Sequence, residues 1–225
     1  MNNRNYHIRR ATESDIPFLV KTILGADAGN GHIASYAAVF GLSNADASKY
    51  IGEMMTEEME GCELSPLHFL VAEYEHDVVA ATAAWVEESD GIASWVVRSA
   101  LFQEYFPPTA IEHAQSISEL AQSMVLKRTP GTMQLESLFV EPEHRGKGLA
   151  RMLFAEQARL VSNSFPDVKI AQLMTYTDNT PAIGAYEKMG FTKIRETISN
   201  NPNVLKYYPG RGMLIMEIEL KNLLK

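Results

Sequence analysis

The sequence predicts an α/β protein built around one central sheet, and three observations carry that expectation. From Met133 onward strand-like and helix-like segments alternate, which implies a layered sheet with some parallel pairing. Upstream, the β-rich runs HFLVAEY and VVAATAAWV are joined only by Glu75-His76-Asp77 and read as an antiparallel hairpin. A length of 225 residues, with 46% hydrophobic and 21% charged, suits one enlarged globular domain spanning 1–225.

A short first strand is expected around Tyr6 to Arg9. The segment ATESDIPFLVKTIL then offers Thr12 or Ser14 as N-cap and places Ile16, Leu19, Val20, Ile23 and Leu24 at helical spacing, with Gly25 as the stop. Between Gly29 and Gly61, Ala, Met and Glu predict one or two more helices, chiefly Ser43 to Met59, and Ser65-Pro66 marks the exit into the hairpin. An insert of about 87–131 follows. It holds the aromatics Trp95, Phe102, Tyr105 and Phe106, then a helix opened by the capping box Thr109-x-x-Glu112, with Ile111, Ala114, Ile117, Leu120, Ala121 and Met124 on one stripe. With Trp85, those aromatics read as core under the insert or, more sharply, as a wall of an acceptor site. The second half gives strand Met133 to Val140, helix Lys147 to Val161, strand Ile170 to Tyr176, helix Thr180 to Met189, and strands Phe191 to Ile198 and Met213 to Leu220.

The net charge of −8 opposes nucleic acid and anionic membranes and is compatible with a cationic substrate. A lone cysteine, Cys62, excludes an intrachain disulfide and fits a reducing compartment. The polar start MNNRNYHIRR lacks a signal-type apolar stretch, and no run reaches the ~20 apolar residues of a membrane span. The expectation is an unprocessed cytoplasmic protein. Six scattered histidines (His7, His32, His68, His76, His113, His144) form no metal-ligand spacing, so no metal is expected, and no GxSxG elbow supports a serine hydrolase.

The chemistry concentrates in LESLFVEPEHRGKGLA, residues 135–150, a strand that breaks at Pro142 and re-enters a helix near Lys147. Free N–H groups at such a helix start favour an anion, Gly146 and Gly148 let it approach the backbone, and Arg145 and Lys147 add positive charge. A phosphate-bearing ligand follows. The P-loop pattern fails because Gly148 follows Lys147 and no glycine stands five positions before Gly146; the dinucleotide pattern GxGxxG fails because Arg151 stands where its third glycine would be. Along the strand, simple alternation puts Gln134, Glu136, Leu138 and Val140 on one face and Met133, Leu135, Ser137 and Phe139 on the other. Glu136 is its lone acid. Buried there, it would be a stronger base, with Ser137 and Gln134 as polar alternatives and a structural ion pair as the plain alternative.

Arg145-Gly-Lys-Gly148-Leu-Ala150 resembles motif A of the GCN5-related N-acetyltransferase (GNAT) superfamily, and Asn179, Ala182, Tyr186 and Gly190-Phe191 resemble its motif B in order and spacing. The resemblance covers the second half and the opening IRRATESDIPFLVKTIL. It implies a mixed, mostly antiparallel sheet splayed at the motif A strand, with helices on both faces and the helical insert before the catalytic strand. It further implies a transferase, an acyltransferase for groups other than aminoacyl, with acetyl-CoA as cosubstrate. Arg145, Gly146, Lys147, Gly148, Leu149 and Ala150 would wrap its pyrophosphate, Leu138, Phe139 and Val140 would supply backbone anchors, and Asn179, Ala182 and Tyr186 would complete the cofactor site. Tyr186 stands where many members place the general acid, against the alternative of an aromatic packed on the sheet; Asn179 doubles as a helix N-cap. The acceptor expected is a primary amine of a small molecule. The alternatives are a protein or peptide N-terminus or lysine, and a non-catalytic acyl-CoA-binding module. Members acting on ribosomal-protein N-termini carry a Glu where this chain has Met174, although Tyr207-Tyr208-Pro209 resembles that group. The family often dimerises, so a homodimer is a further expectation.

Overall fold

The structure is a computed structural model describing residues 5–29, 31, 33–57 and 59–225. His32 and the first four residues of the polar N-terminus lie outside the described residues. No helix among those described is long and apolar enough to cross a membrane.

The strands are β1 Tyr6–Arg10, β2 Phe69–Tyr74, β3 Asp77–Val86, β4 Met133–Val140, β5 Ile170–Tyr176, β6 Thr192–Ile198 and β7 Gly212–Glu219. They form one sheet in the order β1-β2-β3-β4-β5-β7-β6. Among the described residues only β4 and β5 are parallel neighbours; every other pair is antiparallel. The mixed, mostly antiparallel sheet is the one the resemblance implied.

Helices α1 Ile16–Ala28, α2 Ser35–Ala38, α3 Asn44–Met54, α4 Ser94–Tyr105, α5 Pro108–Ser116 and α6 Ser118–Gln122 precede β4. Helices α7 Leu149–Ser164, α8 Thr180–Met189 and α9 Leu220–Leu223 follow it. On one face of the sheet Leu19, Ile23, Ile51, Met54, Val97, Leu101 and Phe106 pack against Phe69, Val71, Ala81, Ala83 and Trp85. On the other face Phe154, Ala158 and Val161 pack against Met133, Leu135, Ala171, Leu173 and Met216.

Several boundaries differ from the expectation for identifiable reasons. The first helix runs through Gly25 to Ala28 and ends at Gly29, whose φ is 54°. Gly25 is there for space: a Cβ on it would meet the Phe139 ring at 2.9 Å. Thr109 is not a cap, because Pro107 takes the N-cap position and Pro108, with φ already fixed, opens α5. The stripe from Ile111 to Met124 is split at Ile117, where φ −113° and ψ 19° separate α5 from α6. The aromatic stretch before it is itself a helix, α4, which bulky and β-branched residues (Trp95, Val96, Val97) disguise. The motif A helix starts at Leu149 rather than Lys147, because Gly148 is left-handed at φ 79°.

His68 lies just before β2, where its Nε2 accepts the Gly61 N–H at 2.8 Å. Burial pushes its imidazole down to about 4 from an ordinary 6.5. The unfolded chain therefore binds this proton first, so the His68 contribution is complete above pH 6.5 and lost as pH falls toward 4. Urea unfolding between pH 7 and 4 checks this. Stability should fall more steeply in the wild type than in His68→Gln; parallel slopes would contradict it.

Candidate active site

The site begins with one left-handed residue. Ser137 has φ 51°, a conformation that costs a non-glycine residue roughly 1–2 kcal/mol, and it inserts an extra residue into β4. The register with β3 shifts accordingly: Ala83 faces Glu136, but Ala81 faces Phe139. Simple alternation therefore fails at this point. Glu136 shares its face with Phe139, which packs on Phe18 and Gly25, whereas Leu138 and Val140 turn to the opposite face beside Leu149 and Leu153.

Beyond the bulge β4 parts from β5. The two strands pair only at Met133↔Ala171, Gln134↔Gln172 and Leu135↔Leu173. The Glu141 N–H donates to the Val79 carbonyl, so by antiparallel alternation Phe139 points its polar backbone groups at β3 while Leu138 and Val140 point theirs into the gap. The Val140 carbonyl accepts Arg145 Nε at 3.0 Å there. Of the three backbone anchors expected on this strand, Leu138 and Val140 therefore face the gap and Phe139 does not.

Past Pro142 the chain turns into α7 through Gly146 at φ 72° and Gly148 at φ 79°. The first intrahelical bond is Met152 N–H to Gly148 carbonyl; among the described residues the N–H groups of 146–151 have no backbone acceptor. They make an anion cradle at the positive end of a 16-residue helix. Arg145, Gly146, Gly148, Leu149 and Ala150 line the adjoining cavity, as does Arg151, which the motif reading omitted. Lys147 is exposed and lies outside the lining.

That cavity, of about 1500 Å³, runs from the cradle through the gap to the insert. Asn179 sits in it as the N-cap of α8, accepting the Ala182 N–H at 3.4 Å, so the capping role is realised. Tyr186 lines it too, stacked on Phe154 and edge-on to Phe191. Burial, then the nearby Glu136 charge, raises its phenol above the ordinary value and keeps it protonated. From the other face comes Glu136, ion-paired with Arg128. Burial raises its carboxyl above the ordinary value, outweighing the Arg128 charge that lowers it. Ser137 also lines the cavity, whereas Gln134 is buried and spends its amide on Thr132.

The insert closes the acceptor end. Trp95, Arg98 and Phe102 of α4 line it, whereas Trp85 and Phe106 belong to the core, so the aromatic cluster is part wall and part packing. Glu63 is buried there, taking Tyr36 Oη and Arg98 Nη1, each at 2.6 Å. Burial alone would raise its carboxyl, but Arg98 and then Arg128 hold it down to about 2. Asp27 accepts from Ser35, the Tyr36 N–H and Tyr176. No motif marks Asp27, Glu63, Arg98 or Arg128; isolated charges in an insert and its flanks carry no periodic signal. Burial pushes the Cys62 thiol up to about 12, which removes it as a nucleophile at neutral pH.

A model of the acetyltransferase (GNAT) family matches residues 37–191, more than half of the chain. No curated protein sequence matches. Among solved structures, an N-acetyltransferase from Staphylococcus aureus Mu50 is 16% identical, with TM-score 0.60 over 94% of this chain and 100% of that one. An agmatine N-acetyltransferase mutant is 13% identical, with TM-score 0.54 over 96% and 99%. A ribosomal-protein-alanine N-acetyltransferase from Brucella melitensis is 18% identical, with TM-score 0.51 over 95% and 99%. At such identities these likenesses concern the fold.

The left-handed Ser137 predicts an asymmetric response to substitution. Ser137→Gly should stay within about 1 kcal/mol of wild-type stability, while Ser137→Val should lose roughly 1–3 kcal/mol, because a β-branched residue tolerates φ 51° least. Denaturant titration of the two variants measures both; equal losses would refute the assignment of strain.

Proposed function

The chain belongs to the acetyltransferase (GNAT) family, and on that premise we propose that it is an acetyl-CoA-dependent N-acetyltransferase acting on the primary amine of a small molecule. One observation carries the reading: an anion cradle and a buried carboxylate open into the same cavity from opposite sides of a split sheet.

The donor fits the residues present. Its pyrophosphate would take the N–H groups of 146–151 with Arg145 and Arg151 beside them, and the amide-bearing arm would pair with the polar backbone of Leu138 and Val140, where β5 has left its place. Acetyl-CoA supplies a thioester-activated acetyl group. The protein's own work is proton management and orientation. An alkylamine is mostly an ammonium at neutral pH, so Glu136 removes a proton to expose the nitrogen lone pair. The Leu138 N–H faces the gap and donates to the oxygen on which negative charge develops. Tyr186, held protonated by burial, gives its proton to the departing sulfur. The insert over the acceptor end, with Trp95 and Phe102 on the wall, favours a compact acceptor over a folded protein surface.

Calorimetric titration with acetyl-CoA and a product assay over amines, amino acids and peptides test this directly. Glu136→Gln should lower kcat by about 10²–10⁴-fold while leaving acetyl-CoA affinity unchanged. Tight acetyl-CoA binding with no product from any amine would instead indicate a binding module. Turnover restricted to peptides would move the acceptor class.

A further inference from the structure

The proposed reaction uses Glu136 but gives no task to the charged groups around it. Arg128, in the segment leading into β4, lays its guanidinium over the Trp85 ring, 5.2 Å from the centroid, and pairs with Glu136. Its side chain is 9% exposed. Its Nε is buried with no hydrogen-bond partner. Glu63, in the segment leading to β2, uses Oε1 for both Tyr36 and Arg98 and leaves Oε2 buried with no partner. Among the described residues these are the two charged side chains with a buried, unpartnered atom, and they are of opposite sign. Leaving such groups unpaired costs free energy, so each calls for a physical reason. Both residues line the cavity that holds Glu136.

We propose, resting on the acetyl-transfer reading, that Arg128 and Glu63 are positioning residues for the proton transfer. Arg128 clamps Glu136 while no acceptor is bound and passes to the free oxygen of Glu63 when an acceptor ammonium takes its place. The four side chains Glu136, Glu63, Arg128 and Arg98 sum to zero charge, so the entering ammonium leaves the cluster with one net positive charge. The arriving cation replaces the guanidinium beside Glu136, and the displaced guanidinium takes the free Oε2 of Glu63, whose Oε1 keeps Arg98. The ammonium proton moves to a Glu136 oxygen, the nitrogen keeps the electron pair that attacks the acetyl carbon, and Glu63 holds Arg98 and Arg128 between its two oxygens. With the guanidinium held on Glu136, that oxygen would be occupied and the carboxylate would be a weaker base.

The groups facing Glu136 are Arg128, Glu63, Arg98 from α4 and Tyr186 from α8. Both arginines favour its charged form, and Glu63 opposes it. Removing Arg128 and removing Glu63 should therefore shift the Glu136 titration in opposite directions, while the passage of Arg128 to Glu63 is read from kcat. The experiment is a ¹³C-glutamate NMR titration of the free protein, with Glu136 assigned through Glu136→Gln. Arg128→Met should move the Glu136 midpoint up by about one pH unit or more, Glu63→Gln should move it down, and Arg128→Lys should stay near wild type. In turnover the acid limb of kcat/KM should follow the same two directions. Glu63→Gln should also lose at least about tenfold in kcat with the KM for acetyl-CoA unchanged, since the guanidinium has nowhere to go. Shifts of the same sign or none, or an unchanged kcat in Glu63→Gln, would overturn the proposal; if Glu63→Gln does not fold, the contrast of Arg128→Met with Arg128→Lys decides it. The NMR readout needs no acceptor, so opposite shifts in a protein that acetylates no amine would sink the proposed reaction and leave the clamp standing.

Discussion

The structure depends on the conformation of one residue. Ser137 in the left-handed region lets β4 carry one residue more than its partner β3, and three consequences follow from that extra residue. The strand's faces exchange, so that Glu136 and Phe139 look toward the insert while Leu138 and Val140 look toward α7. The parallel pairing with β5 stops after Leu135. The polar backbone of Leu138 and Val140 is left facing a gap. A regular β4 would have zipped onto β5 and filled the space through which the cavity runs. The strain at Ser137 is held in place by packing on both sides: Phe139 sits against Gly25 and Phe18, and Leu138 against the core beneath α7. Close approach explains why a glycine stands inside a helix that would otherwise favour alanine.

Charge is buried beside β4 as well. Taking Glu63, Glu136, Arg98 and Arg128 out of water is expensive, and pairing only partly offsets that expense. The arrangement is therefore weak evidence of stabilisation and better evidence of use. Its placement supports that view, because the cluster lies where the insert meets β4, across the gap from Tyr186 and away from the anion cradle. Arg145 and Arg151 flank the cradle, and mixed pairs surround Glu136. One cavity thus presents two electrostatic environments, suited to a phosphate at one end and to proton exchange with an amine at the other.

Much of this was legible in the sequence, and the gaps have physical causes. Strand β5 and helix α8 begin and end where pattern placed them, because Asn179 caps one end of α8 and Gly190 the other. The glycines of 146–148 announced the cradle, since only a left-handed backbone needs them there. Strand faces beyond Glu136 were misread because a bulge at a serine leaves no mark in composition, unlike a bulge at glycine. Helix α4 was missed because tertiary packing of Val97, Leu101 and Phe106, rather than propensity, holds it. The partners of Glu136 were invisible for a different reason. Arg128 and Glu63 are 65 positions apart and come near Glu136 only after the hairpin and insert have folded, so no local pattern contains them.

On the proposed reading, the split between β4 and β5 and the cradle form one groove for the donor. Amide hydrogen exchange with and without acetyl-CoA tests it most directly. Protection should rise at residues 146–151 and at Leu138 and Val140, leaving the hairpin of β2 and β3 unchanged, because those are the backbone donors the fold leaves free. Protection confined to other segments, or none at saturating acetyl-CoA, would contradict the account.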